Sequence, residues 1–154
     1  MLPEPYRTFM AEVANGTRAE RPDARGLLPL GEIPATWTGW ESENWMSPEP
    51  FNASAPRDPS MPFPLNEEWQ WEYDYDGQAG HSSLLHALYL HGSVLLGCED
   101  GEFWVLVVTG PQRGRVWWLG DGCATPYADG TTDWEARSAF ASWMREWHDW
   151  AGHQ

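Results

Sequence analysis

Three histidines recur at five-residue intervals, His81, His86 and His91, and Cys98 follows them closely. Imidazole and thiolate groups are the usual zinc ligands in proteins. A five-residue spacing, however, sets successive side chains about 140° apart on a helix and on opposite faces of a strand. Neither arrangement brings three imidazoles to one ion, and the chain has no HExxH or CxxC motif. We therefore predict structural or solvated histidines and no metal site.

Motifs for nucleophilic or phosphate chemistry are also missing. Ser82 and Ser83 lie near His86, but no GxSxG motif is present to form a nucleophile elbow. The stretch 110–114, GPQRG, joins two apolar runs and lacks the lysine of a phosphate-binding loop. Carboxylate pairs are expected by chance among 23 acids, so they are weak evidence for a glycosidase. The aromatic content of 14% is compatible with a sugar-binding platform, so a carbohydrate enzyme or a lectin is a minor alternative. We expect no catalytic residue, no cofactor and no enzymatic activity.

The segment 67–76, EEWQWEYDYD, has the period of a strand with one aromatic and one acidic face. Its aromatic set is Trp69, Trp71, Tyr73 and Tyr75, and its polar set is Gln70, Glu72, Asp74 and Asp76. Two interpretations stay open. The acids are simply solvated on an edge strand, or they form an interface for a partner rich in Arg and Lys.

The charge balance favours a basic protein partner. The chain has 23 acids against nine basic residues, all of them Arg, and a net charge of −14. Nucleic acids and anionic membranes require clustered cations, so neither is expected as a partner. A basic toxin domain would be attracted. The candidate partner-binding residues are all carboxylates, in the segment 67–76 and in the next turn: Glu67, Glu68, Glu72, Asp74, Asp76, Glu99 and Asp100.

Targeting signals are not evident. The first ten residues, MLPEPYRTFM, lack the charged and apolar regions of a signal peptide. No apolar stretch approaches the ~20 residues that span a bilayer. Two cysteines, Cys98 and Cys123, are too few for a disulfide scaffold. We expect a cytoplasmic protein with reduced thiols; its oligomeric state stays open, and a monomer is favoured.

The length of 154 residues favours a single domain over 1–154. We predict a short N-terminal helix within 1–21, a loop-rich wrap over 22–64, a sheet over 65–120 and a C-terminal helix over 132–151. The sheet contains three β-rich runs, 93–97, 103–109 and 115–119, joined by turns as an antiparallel meander. The run 103–109 is apolar on both faces and should lie inside the sheet, with cover on each side. The residues before 93 form either a helical turn or a strand. In the last element, Thr132 and Glu135 form a capping box, and Phe140, Trp143, Met144 and Trp147 share one helical face.

The stretch 92–117, GSVLLGCEDGEFWVLVVTGPQRGRVW, resembles the SUKH superfamily, which includes the Smi/Knr-type regulators and many bacterial immunity proteins. Softer similarities are LLPLGEIP at 27–34, PFPLNEEW at 62–69 and the closing FASWMREWHDW at 140–150. The resemblance covers about residues 26–150, although the region 35–61 matches nothing in the family pattern.

The resemblance implies an α+β fold with a twisted, mainly antiparallel sheet flanked by helices. It also implies a non-enzymatic role, since bacterial members commonly bind and neutralise a toxin domain, often a nuclease or deaminase. A housekeeping adaptor of the same fold without a toxin partner is the second hypothesis. A carbohydrate-binding protein or an enzyme is the third.

Overall fold

The computed structural model describes residues 1–12, 27–28, 30, 57–71, 81–99, 102–120, 122–127 and 140–151. These ranges contain, in chain order, α1 (Tyr6–Glu12), β1 (Trp69–Gln70), α2 (His81–Leu90), β2 (Ser93–Glu99), β3 (Glu102–Val107), β4 (Val116–Gly120), β5 (Cys123–Pro126) and α3 (Phe140–Ala151). The strands form one antiparallel sheet in the order β1-β5-β4-β3-β2. The predicted α+β fold is confirmed.

One face of the sheet, here called the α2 face, packs against α2. Alternate residues of β3 and β4 point to it, because successive strand side chains face opposite ways. The buried members of this core are Phe103, Val105, Val107, Trp117 and Leu119 from these strands, with Leu88 and Tyr89 of α2 and Phe63 and Leu65 of the segment before β1. The two rings of Tyr89 and Phe103 meet edge to face, with centroids 6.0 Å apart.

The opposite face, here called the α3 face, packs against α1 and α3. Its buried residues are Leu96 of β2, Leu106 of β3, Val108 just after it and Val116 of β4, together with Tyr6 of α1 and Phe140 and Trp143 of α3. The ring of Tyr6 meets that of Phe140 edge to face at 4.9 Å. Residues of β3 thus belong to both cores, and the prediction that 103–109 lies inside the sheet with cover on each side is confirmed.

The sheet extends further than predicted, because β5 follows β4 and pairs with it on one side and with β1 on the other. The predicted end of the sheet at residue 120 is therefore wrong. β5 reads CATP, four residues with an alanine and a proline, which have low β-propensity. The pairing is instead favoured by tertiary contacts, since Ala124 is fully buried opposite Leu119.

The other predicted elements are placed in part. The N-terminal helix is confirmed as α1, and the C-terminal helix is observed from Phe140 onward, while 132–139 lies outside the described residues. The open alternative before residue 93 is resolved as a ten-residue helix, α2. Of the predicted wrap over 22–64, residues 27–28, 30 and 57–64 are described, and the Leu28 N–H donates to Leu96 O at 2.6 Å.

A candidate protein-binding surface

The acidic–aromatic segment enters the sheet at its edge, where Trp69 and Gln70 form β1. Trp69 pairs with the buried Ala124, and both Trp69 and Trp71 pack against the core of the α2 face. Gln70 is exposed, and its Nε2 donates to Glu68 Oε1 at 2.9 Å. Glu68 and Gln70 therefore lie on the opposite side of β1, toward the α3 face.

The observed strand is shorter than the predicted one at its start, because Glu67 and Glu68 precede β1. Both residues are exposed, and Glu67 stands in a bend outside the strand. Glu99 ends β2, where its Cα partner is Glu102 of β3. The remaining predicted partner-binding residues lie outside the described part of the chain: Glu72, Asp74, Asp76 and Asp100.

The structure does not gather the described candidates into one cluster. Glu68 and Glu99 belong to opposite edges of the sheet, since β1 and β2 are its two outermost strands. Four interstrand spacings separate these strands, or about 19 Å. A partner that contacts both residues must therefore lie across the strands between them.

On the α3 face, the side chains of β3, β4 and β5 form three rows across the sheet. The first row is Leu106, Val116 and Tyr127, the second is Trp104, Trp118 and Thr125, and the third is Glu102, Gly120 and Cys123. Rows follow each other at about 6.8 Å, the repeat of two residues along a strand. At this spacing a helix packed on one row can leave the next row partly exposed.

The helices cover the first row and stop at the second. Leu106 and Val116 are fully buried in the same core as Phe140 and Trp143. The Trp143 ring packs on Trp104, with centroids 6.1 Å apart. Beyond this contact the second row forms the floor of a groove of about 390 Å³, lined by Trp104, Trp118, Thr125, Pro126 and Tyr127. We call it the aromatic groove.

Carboxylates flank the aromatic groove on three sides. The Tyr127 hydroxyl donates to Glu146 Oε2 of α3, an exposed residue. Glu102 of the third row precedes Trp104 by two residues on the same strand. The register of β1 with β5, continued by one residue, sets Glu68 beside Thr125. An uncharged aromatic floor bordered by negative charge is suited to a cationic group.

The amino-acid sequence alone does not predict this groove. The runs 103–109 and 115–119 are apolar throughout, and their tryptophans are therefore predicted to lie in the core. The available signal is the pair Trp117 and Trp118, because consecutive strand residues face opposite sides. That pair shows that one indole points to each face, but not which indole a helix covers.

The described residues were compared with the requirements of a metal site and of a membrane-spanning helix. No three His, Cys, Asp or Glu residues there are placed to hold a metal ion. No helix among them is long and apolar enough to cross a membrane. Comparisons with models of protein families, with curated proteins and with solved structures gave no match to this chain.

Proposed function

We propose that this chain is a non-enzymatic, cytoplasmic binding protein of the immunity type. It neutralises a cognate toxin domain, a nuclease or a deaminase, by covering the surface that the toxin needs. The observation that carries this proposal is the aromatic groove with its flanking residues Glu68, Glu102 and Glu146, on a chain of net charge −14.

Charge and aromatic content support the proposal in different ways. A nuclease needs a cationic surface to bind its phosphodiester substrate, and an acidic protein is attracted to that surface from a distance. Tryptophan and tyrosine are the residues that most often dominate the binding energy of protein interfaces, where they bury large areas beside polar groups. The resemblance of residues 92–117 to the SUKH superfamily supports the same role.

A carbohydrate-binding function is the second candidate that a specific observation favours. Partly exposed indoles such as that of Trp118 also provide platforms for sugar rings. The carboxylates around the groove agree better with a cationic ligand, because a neutral sugar gains nothing from the charge of the whole chain.

The test requires a neighbouring open reading frame that encodes a toxin, and it uses the toxin domain of that frame; a gene neighbourhood without a toxin would favour the adaptor hypothesis. We expect the purified chain to form a one-to-one complex with that domain on size-exclusion chromatography. We also expect it to abolish nuclease or deaminase activity at equimolar concentration. Full toxin activity at tenfold excess of the chain would contradict the proposal. So would capture of only non-toxin proteins from the native host, which would favour the adaptor hypothesis.

A further inference from the structure

We propose that the aromatic groove receives an arginine side chain of the protein partner. This inference deepens the proposed function and rests on it for the identity of the partner as a basic protein. The groove itself, however, is a property of the chain alone, so its ligand chemistry can be tested without any toxin.

The size and floor of the groove favour a single side chain. A volume of about 390 Å³ lies at the small end of ligand sites in proteins. Trp104 and Trp118 are direct cross-strand partners, so their Cβ atoms lie about 5 Å apart. The two adjacent indoles can offer a π face to one cation, and the buried Tyr127 ring closes one end of the groove, edge to face with Trp104 at a centroid distance of 5.9 Å.

The carboxylates around the floor of the groove favour a positively charged ligand. Glu146 accepts the Tyr127 hydroxyl hydrogen bond at one end of the groove, at the row that contains Val116. Glu102 lies at the other end, because its side chain lies over Gly120: a Cβ built on that glycine would be 2.5 Å from Glu102 Cγ. A side chain lying along Trp118 therefore has a carboxylate toward each end.

Arginine suits this arrangement better than lysine. Its planar guanidinium stacks on an indole and still presents several N–H donors at its edge to the flanking carboxylates. A lysine ammonium is more strongly hydrated and loses more on leaving water. Arginine, tryptophan and tyrosine are also the residues enriched where binding energy concentrates.

The experiment titrates the chain with capped pentapeptides of sequence Gly-Gly-Arg-Gly-Gly and records the indole N–H signals by NMR. Matched peptides carry Lys or Glu at the centre, and choline and maltotriose are further probes. The variants Trp104→Phe and Trp118→Phe assign the two groove signals. We expect the arginine peptide to shift these two signals and to leave those of Trp69 and Trp71 unchanged. The lysine peptide should bind at least threefold more weakly.

Two kinds of variant locate the binding. Trp118→Ala should weaken arginine-peptide binding at least tenfold. Glu146→Gln and Glu68→Gln leave the aromatic floor intact and should weaken it about two- to fivefold. Glu67→Gln, which removes the same charge from the adjacent exposed residue in the bend before β1, is the matched control and should have no effect.

Several outcomes would overturn the inference. Equal affinities for the lysine and arginine peptides would show that the groove responds to positive charge alone and does not select arginine. Equal losses of affinity in Glu67→Gln and Glu68→Gln would show that only the net charge of the chain matters. Tighter binding of choline or maltotriose would assign the groove to another ligand class, and absence of any shift at 10 mM peptide would leave it without a cationic ligand.

The two proposals fail separately. If the chain inhibits the toxin and Trp118→Ala inhibits it equally well, the groove inference is wrong and the immunity function stands. If the arginine peptide binds in the groove but no toxin is neutralised, the immunity function is wrong and the groove chemistry stands.

Discussion

Trp117 and Trp118 are consecutive residues of β4 whose indoles lie on opposite faces of the sheet. Trp117 is fully buried in the core of the α2 face, where its ring packs on Phe63 with centroids 5.2 Å apart. Trp118 is partly exposed and lines the aromatic groove. The same residue type at adjacent positions therefore serves packing in one case and a surface in the other.

This difference predicts unequal losses of stability for the two alanine variants. Trp117→Ala should lower the free energy of unfolding by about 3–5 kcal/mol, the usual cost of removing a buried aromatic. Trp118→Ala should cost only about 1 kcal/mol, because less of its surface is buried. Urea unfolding of both variants measures the difference. Equal losses of stability would show that Trp118 belongs to the core.

The α3 helix should be essential to the fold. Phe140 is 2% exposed and Trp143 is 6% exposed, in one core with Tyr6. Phe140→Ala or Trp143→Ala should each lower the free energy of unfolding by about 3–5 kcal/mol. Arg145→Ala, on the exposed side of the same helix, should stay within about 0.5 kcal/mol. An unchanged urea midpoint for Trp143→Ala would show that this helix is not part of the core.

Gly92 is required where the segment before β1 crosses the end of α2. Its φ is +66°, and a Cβ there would lie 2.2 Å from the backbone nitrogen of Phe63. Gly92→Ala should therefore destabilise the protein by about 2–5 kcal/mol, from backbone strain and overpacking together.

Gly114 is the matched control for this prediction. Its φ is +91°, but the nearest atom to a new Cβ is Pro3 Cβ at 3.9 Å. Gly114→Ala should cost only the conformational strain, about 1–2 kcal/mol. Thermal or urea unfolding that ranks Gly114→Ala as the more damaging change would contradict this account of Gly92.

The sequence predicts the elements whose local signals agree with their packing. The strands β2, β3 and β4 are rich in β-branched and aromatic residues and are separated by Gly-containing turns. β5 has no such pattern and depends on Leu119 and Trp69 beside it for its place. The aromatic groove could not be predicted, because it exists only where the cover by α3 ends over the sheet. That end point is set by the contact between Trp104 and Trp143, which are 39 residues apart in the chain.

Tyr6 should make the fold sensitive to alkaline pH. Its side chain is fully buried, and its hydroxyl has no hydrogen-bond partner among the described residues. Burial raises the pKa of Tyr6 to about 12 from 10.0. Below pH 10 both the folded and the unfolded chain keep this proton. Between pH 10 and 12 the unfolded chain releases it first, so stability falls by up to about 1.4 kcal/mol per pH unit.

Tyr6→Phe isolates this effect, because all other titrating groups are common to both proteins. At pH 8 the variant should match the parent or gain about 1 kcal/mol, since it no longer buries an unpaired hydroxyl. Above pH 10 its stability should fall less steeply with pH. Urea unfolding at pH 8, 10.5 and 11.5 measures both slopes, and parallel slopes would show that Tyr6 does not ionise differently in the two states.

Association with the basic partner should depend on charge in two separable ways. Reversal of either Glu67 or Glu68 to Arg changes the net charge by two, from −14 to −12. Long-range steering responds to that total, so both variants should slow association by a similar factor, and high salt should slow association of the parent protein as well. Of these two residues only Glu68 borders the aromatic groove, so only Glu68→Arg should also speed dissociation, by contact with the bound cationic side chain. Stopped-flow or surface-plasmon kinetics at two salt concentrations separate the two rates. A salt-independent on-rate would show that charge does not steer association. Equal off-rates for the two variants would show that the partner does not contact this edge of the groove.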